Sequence, residues 1–123
     1  MPGRQEVTGF IRSTFRSVWS LELLCFLMEH DEEEWSPDAL VAELRGSDLI
    51  VAQGLASLTA AGLIVIGNDG AARYQPASAD LDRLAAAARD DYARSPDAIR
   101  RLIVSSATSG LTAFAEAFRL RKD

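Results

Sequence analysis

The side chains best suited to chemistry lie in one short run, HDEEE at residues 30–34, which joins the only histidine to four carboxylates. Imidazole and carboxylate groups can bind a divalent metal ion or transfer protons in general acid–base catalysis. These five side chains are contiguous, however, and the sequence has no second cluster of such ligands to complete a site. The run therefore indicates the solvated end of a helix, and we predict no metal site there.

The rest of the sequence also gives no sign of catalysis. Cys25 is the single cysteine and lies inside an apolar run, which predicts a buried structural thiol rather than a nucleophile. Phosphate-binding loops, zinc-ligand spacings and nucleophile motifs do not occur in the sequence. We therefore expect a protein that is not an enzyme and that carries no cofactor.

Composition narrows the class of protein. The chain has 123 residues, of which 48% are hydrophobic and 25% are charged, as in an ordinary globular domain. No run approaches the roughly 20 apolar residues of a membrane span, and no signal-peptide pattern is present, so we expect a cytoplasmic protein that does not bind a membrane. The net charge is −5, and residues 1–76 hold five arginines against eleven acids. Nucleic-acid binders usually carry a basic surface instead.

The elements that must position any site begin with three helices. Apolar residues at helical spacing predict one long helix over residues 10–30. Ser36 is a good N-cap for a short second helix, which Gly46 is expected to end. Ser47 then caps a third helix, which runs to about residue 61 and stops at Gly62.

A hairpin and two further helices follow. Residues 63–66 and 71–75 are predicted strands, because a Gly-Asn-Asp-Gly turn separates them. After Pro76, Ser78 is the expected cap of an alanine-rich helix, and the Ser-Pro-Asp-Ala sequence at 95–98 begins the last helix. The predicted fold is mainly α with a small β-hairpin: a winged helix-turn-helix followed by two C-terminal helices. We expect a winged-helix domain at 1–76 and, at 77–123, a helical arm that packs on the first helix, forms a dimer, or both.

The spacing Leu55-x-x-Leu58-x-x-x-Gly62-Leu63-Ile64 resembles the end of the recognition helix and the first wing strand in MarR-like and ArsR-like winged-helix regulators. The resemblance covers about residues 15–76. It implies a dimeric transcriptional regulator that binds double-stranded DNA, with helix 47–61 in a major groove and the hairpin against the backbone.

The resemblance also implies which residues contact DNA. They lie on the third helix and its cap, on the hairpin, at the end of the second helix and at the start of the first: Ser47, Gln53, Ser57, Arg45, Arg73, Asn68, Arg12 and Arg16. The positions of the third helix that face outward in those families are Gln53, Ser57, Ala60 and Ala61 here, where arginine or lysine is common. Affinity for DNA comes mainly from cations that neutralise phosphates, and Asp48 is expected to repel them.

A homodimer is predicted from residues 18–28 of the first helix, which are apolar nearly all round, and from the last helix, whose apolar residues lie along one side and whose middle, at 105–110, consists of small residues. The candidate dimerisation residues are Leu102, Ile103, Gly110, Leu111, Phe114 and Phe118. A dimer would double the number of phosphate contacts.

An alternative stays open: a winged-helix fold that serves as a protein-interaction module without binding DNA by itself. In that case the exposed members of Leu49, Ile50, Val51 and Ala60 would form a patch for a protein partner. The absence of basic residues on the third helix favours this alternative.

Overall fold

A computed structural model describes residues 2–105. Within them the chain forms, in order, α1 (Arg4–Thr14), α2 (Val18–Glu29), α3 (Pro37–Leu44), α4 (Asp48–Ala60), β1 (Ile64–Ile66), β2 (Ala72–Tyr74) and α5 (Ala79–Arg94). Residues 96–105 are also helical. The prediction of a mainly α protein with one small antiparallel hairpin is confirmed.

The prediction of one continuous helix over residues 10–30 is wrong, because the chain breaks between α1 and α2. Phe15 and Ser17 are extended, with φ/ψ of −100°/113° and −151°/159°. The Ser17 hydroxyl accepts a hydrogen bond from the N–H of Ser20 at 3.2 Å and so caps α2. Phe15 is only 2% exposed, and its ring packs edge to face on Phe10. The apolar periodicity therefore continues through the break and conceals it.

The helix pair α3–α4 begins at both predicted caps. The hydroxyl of Ser36 accepts from the N–H of Ala39 at 3.2 Å, and that of Ser47 accepts from the N–H of Ile50 at 3.1 Å. The expected end of the second helix needs correction, because Arg45, and not Gly46, takes the left-handed conformation, with φ of 55°. A single short turn therefore joins the two helices.

The hairpin follows α4 directly. Gly62 takes a φ of +78° and ends α4 as predicted. The strands pair Ile64 with Tyr74, Val65 with Arg73 and Ile66 with Ala72. Trp35, which precedes α3, exchanges two backbone hydrogen bonds with Ala72, at 2.8 and 2.7 Å. The segment before α3 thus lies beside β2 and ties the hairpin to the helices.

The core lies where α2 crosses α4 and where α5 packs against α1. Its most deeply buried large side chains are Ile11, Phe15, Leu21, Leu24, Leu27, Leu40, Leu58, Leu63 and Ile103. At the α2–α4 crossing, a Cβ placed on Gly54 would lie 2.9 Å from Cδ2 of Leu23, so this glycine sets how closely the two helices approach. No helix within residues 2–105 is both long and apolar enough to span a membrane.

Candidate nucleic-acid interface

One side of α4 faces away from the core. Leu49, Gln53, Ala56 and Ala60 are exposed and follow one another at intervals of four, three and four residues, so they lie on one helical face. We call these four residues the α4 crest. Leu49 is 66% exposed. The opposite face is buried in the core. The crest therefore presents one amide and three apolar side chains, and α4 carries no lysine, arginine or histidine.

A cation reaches the crest from a neighbouring segment. Arg16, in the break between α1 and α2, lines a groove of about 540 Å³ together with Ile50, Gln53 and Ser57 of α4. The hydroxyl of Ser57 donates to the carbonyl oxygen of Thr14 at 3.4 Å, which ties α4 to the last residue of α1. Arg16 is exposed. Of the eight predicted DNA-contacting residues, the structure thus brings Arg16, Gln53 and Ser57 together along one flank of α4.

The other flank of α4 is apolar. A groove of about 560 Å³ runs between α4, the start of α3 and the hairpin, and it is lined by Pro37, Ala52, Leu55, Ala56, Thr59, Ala60, Ile66 and Gly70. The hydroxyl of Thr59 donates to the carbonyl oxygen of Leu55 at 2.6 Å and so is occupied within its own helix. Ile66 is 41% exposed. This flank offers hydrophobic contact and little hydrogen bonding.

The hairpin directs its arginine away from this groove. Successive residues of a strand point to opposite faces, and Ile66 and Ala72 form one pair while Val65 and Arg73 form the next. Arg73 therefore lies on the face opposite Ile66. Its Nε donates to the backbone carbonyl oxygen of Asp31 at 3.3 Å, in the acidic run.

The remaining predicted contacts are scattered. Asn68 is exposed in the hairpin turn, and Arg45 is exposed in the turn between α3 and α4. Arg12 is exposed in the last turn of α1. Ser47 caps α4, so one lone pair of its hydroxyl is already used. None of these four side chains lines the groove that Arg16 shares with Gln53 and Ser57.

Sequence reasoning missed part of this surface. Ala56 lies in the middle of the crest, whereas Ala61, one of the expected outward positions, is only half-exposed. Of the four residues proposed for a protein-binding patch, Leu49 and Ala60 are exposed, Ile50 is half-buried and Val51 is 2% exposed. The signal for the crest is the four-three-four spacing counted from Leu49.

The acidic run contains a structured histidine. His30 follows α2, and its Nδ1 lies 2.9 Å from the carbonyl oxygen of Phe26. The imidazole packs against the rings of Phe26 and Trp35, with centroid separations of 4.4 and 5.3 Å, and those two rings also contact each other, with centroids 4.7 Å apart. Within residues 2–105, no three His, Cys, Asp or Glu side chains are grouped so that they could hold a metal ion.

Cys25 is half-buried on α2. Desolvation by burial, followed by the nearby charge of Glu22, raises the pKa of its thiol to about 11. The thiolate is the nucleophilic form of cysteine, and a raised pKa keeps this thiol protonated at neutral pH. Cys25 therefore has the environment of a structural thiol.

The helical segment 96–105 contains the first two candidate dimerisation residues. Ile103 is 1% exposed and belongs to the protomer's own core, so it is not free to contact a partner; Leu102 is half-buried against that core. Val104 is 57% exposed. The other candidates, Gly110, Leu111, Phe114 and Phe118, lie outside the described residues.

Tyr92 of α5 donates a hydrogen bond to Glu22 of α2 and accepts one from Arg100. These two bonds join α5 and the helical segment 96–105 to α2.

Comparison with known proteins does not assign the chain to a family. No family model matches the sequence, and neither a curated protein nor a solved structure is significantly similar to it.

Proposed function

We propose that this chain is a small, dimeric winged-helix transcriptional regulator that inserts α4 into the major groove of double-stranded DNA. The observation that supports the proposal is the α4 crest: an uncovered helical face of four residues, with Arg16 on one flank and the hairpin on the other. An α-helix fits the major groove, where base edges can be read. The hairpin lies beside α4, as a wing does that contacts the adjacent backbone.

The order of elements supports the same proposal. In a winged helix-turn-helix, two consecutive helices joined by a short turn are followed by a hairpin, and the second of the two helices reads DNA. Here α3 and α4 are joined through Arg45 and Gly46, and the hairpin begins at Ile64. The Trp35–Ala72 bridge holds the hairpin next to this helix pair.

The charge balance sets the expected strength of binding. Residues 2–105 carry sixteen carboxylates and ten arginines, so a single protomer has little electrostatic attraction for DNA. If Arg12 and Arg16 of each protomer neutralise one phosphate each, a dimer makes four such contacts. The logarithm of the binding constant should then fall with the logarithm of salt concentration with a slope of about −3.6. Affinity would decrease roughly 150-fold between about 50 and 200 mM salt.

The test is fluorescence polarisation of the purified protein on a labelled random-sequence duplex over this range of salt. Arg16→Ala removes one phosphate contact from each protomer and should reduce the slope to about −1.8. Arg83→Ala is the matched control, because Arg83 is exposed on α5, outside the helix pair and the hairpin, and pairs with Asp80. No binding at low salt by a folded dimer would refute the proposal, as would equal slopes for wild type and Arg16→Ala.

A second candidate function is a protein-interaction module, and the apolar groove between α4 and the hairpin favours it. Leu55, Ala56 and Ile66 present hydrophobic surface there, and α4 adds no cation. An amphipathic helix from a partner could lay its apolar face into such a groove. This function predicts the opposite result in the same assay: a folded protein that binds no duplex even at low salt.

A further inference from the structure

We infer that the α4 crest reads thymine methyl groups and adenine edges, so that this protein selects A·T base pairs by direct contact in the major groove. The inference rests on the proposed function, since it requires α4 to enter that groove. It concerns which base pairs α4 distinguishes, whereas the proposed function concerns only whether the protein binds DNA.

Gln53 is the only crest residue with a polar side chain, and it is exposed. A glutamine amide can donate to N7 and accept from N6 of adenine, and this bidentate pairing is specific to that base. The crest therefore supplies hydrogen bonds that suit adenine.

Two alanine side chains of the crest provide apolar contact. Ala56 and Ala60 present methyl groups on the crest, three and seven residues after Gln53. In the major groove, only thymine presents a methyl group, at C5, and alanine side chains are suited to contact it. Because both side chains are small, the backbone of α4 can come close to the bases. The two alanines thus complement thymine in shape and in polarity.

The crest has no arginine or lysine with which to bind guanine. The commonest specific contact in the major groove is a bidentate pair from arginine or lysine to O6 and N7 of guanine. No residue of α4 can make it. Arg16, the arginine within residues 2–105 that shares a groove with Gln53, approaches α4 from the segment before α2, and we assign it to the phosphate backbone. The crest therefore lacks the usual means of selecting G·C pairs.

The dimensions of the crest set the length of the site. Eleven residues separate Leu49 from Ala60, which corresponds to about 16 Å along a helix. With about 3.4 Å per base pair, one protomer would read about five base pairs. A dimer would then read two such half-sites.

The experiment uses the full chain and four labelled duplexes of equal length at one low salt concentration. The first duplex is A·T-rich, and the second has the same sequence with deoxyuridine in place of thymidine, which removes only the C5 methyl groups. The third duplex is G·C-rich. The fourth has the sequence of the third with 5-methylcytosine in place of cytosine, which places a methyl group in the major groove.

We expect the A·T-rich duplex to bind most tightly. Removal of the methyl groups should weaken binding roughly fourfold for each thymine contacted. The methylated G·C duplex should bind more tightly than the unmethylated one.

Two variants connect the preference to the crest. Gln53→Ala should reduce the preference for the A·T-rich over the G·C-rich duplex roughly fivefold or more, whereas Gln5→Ala, at an exposed position of α1, should leave it unchanged. Ala56→Ser should reduce the difference between thymine and uracil duplexes. Ala42→Ser, at an exposed position of α3, is its control.

The outcomes separate the inference from the proposed function. Salt-sensitive binding of equal strength to all four duplexes would overturn methyl readout and leave the DNA-binding function in place. An A·T preference that uracil does not diminish would also overturn it, since the protein would then read the shape of the duplex. If no duplex binds at low salt, the proposed function fails and the inference fails with it.

Discussion

The α2–α4 crossing at Gly54 provides the sharpest test of the structure, through a pair of glycine-to-alanine substitutions. Both Gly9 and Gly54 lie inside helices, α1 and α4, so alanine should favour the helix at each position by about 1 kcal/mol. At Gly9, nothing lies within 4 Å of the added Cβ. Gly9→Ala should therefore raise the free energy of unfolding by about 1 kcal/mol.

At Gly54 the same gain in helix propensity is opposed by a steric clash. The added Cβ would lie 2.9 Å from Cδ2 of Leu23, whereas carbon atoms prefer about 3.5 to 4.0 Å. Leu23 is 2% exposed, so its side chain has little space into which to move. Overpacking of this kind costs about 1–3 kcal/mol. The net effect of Gly54→Ala is then between about zero and a loss of 2 kcal/mol, and the two variants should differ by about 1–3 kcal/mol.

Urea denaturation followed by circular dichroism measures both values, with the slope of the transition as a check on two-state unfolding. Leu23→Val removes both Cδ atoms, and in that background Gly54→Ala should recover the stabilisation seen at Gly9. Such non-additivity is the signature of two residues in direct contact. If Gly54→Ala stabilises the wild-type protein as much as Gly9→Ala does, the close approach of α2 and α4 is wrong.

The Ser47 cap, the Cys25 thiol and the Tyr74 hydroxyl each give a further prediction. Ser47→Ala removes the hydrogen bond to the N–H of Ile50 and should lower the free energy of unfolding by about 1 kcal/mol, whereas Ser47→Asp, which can still accept that bond, should retain it in the same denaturation assay. Because burial raises the pKa of Cys25 from 9.0 to about 11, its alkylation by iodoacetamide at pH 8 should be roughly a hundred times slower than that of an exposed thiol, and urea should restore the rate. Burial, then the hydrogen bond to Asp82, raises the pKa of Tyr74. For both Cys25 and Tyr74 the unfolded chain loses its proton at lower pH than the folded chain, so the contribution of these two groups to stability should be constant below about pH 8 and be lost as the pH rises through 9 and above. A Cys25→Ala, Tyr74→Phe double variant should lose less stability across that range, and an identical pH profile would contradict the burial of both groups.

The starts of α3, α4 and α5 were predictable from the sequence because a cap depends on only a few consecutive residues, whereas the start of α2 at Ser17 was missed. Ser36, Ser47 and Ser78 each accept the expected hydrogen bond from the N–H three residues later. The end of α3 was not predictable in this way. Gly46 lies against the ring of Trp19, where an added Cβ would contact it at 3.6 Å, and the left-handed conformation falls on Arg45 instead. The usual preference for glycine at the left-handed position therefore does not place the end of α3.

In the candidate site, too, some features depend on α4 alone and others depend on tertiary packing. The outward positions of Gln53 and Ala60 were expected from the resemblance, counted back from Gly62, whereas Ala56 was missed. Because apolar residues occur on every side of α4, its sequence pattern does not single out the α4 crest. The position of Arg16 beside Gln53 depends on the break between α1 and α2 and on the α2–α4 crossing, both of which involve tertiary packing. The direction of Arg73 depends on the register of the hairpin, which pairs it with Val65 and turns it toward Asp31.

The break between α1 and α2 therefore bears directly on the proposed function. In a continuous helix, residues 15–17 would follow the helical path of their neighbours. In the structure, Phe15 is buried and anchors the extended segment, Ser17 caps α2, and Arg16 between them is left exposed at the edge of the groove it shares with Gln53. The hydroxyl of Ser57 reaches the same segment at Thr14. The cation that α4 lacks in its own sequence is thus supplied by a three-residue connection whose position α4 itself helps to hold. Electrostatic attraction to a ligand on the crest is in this way coupled to the packing of α4 on the first two helices.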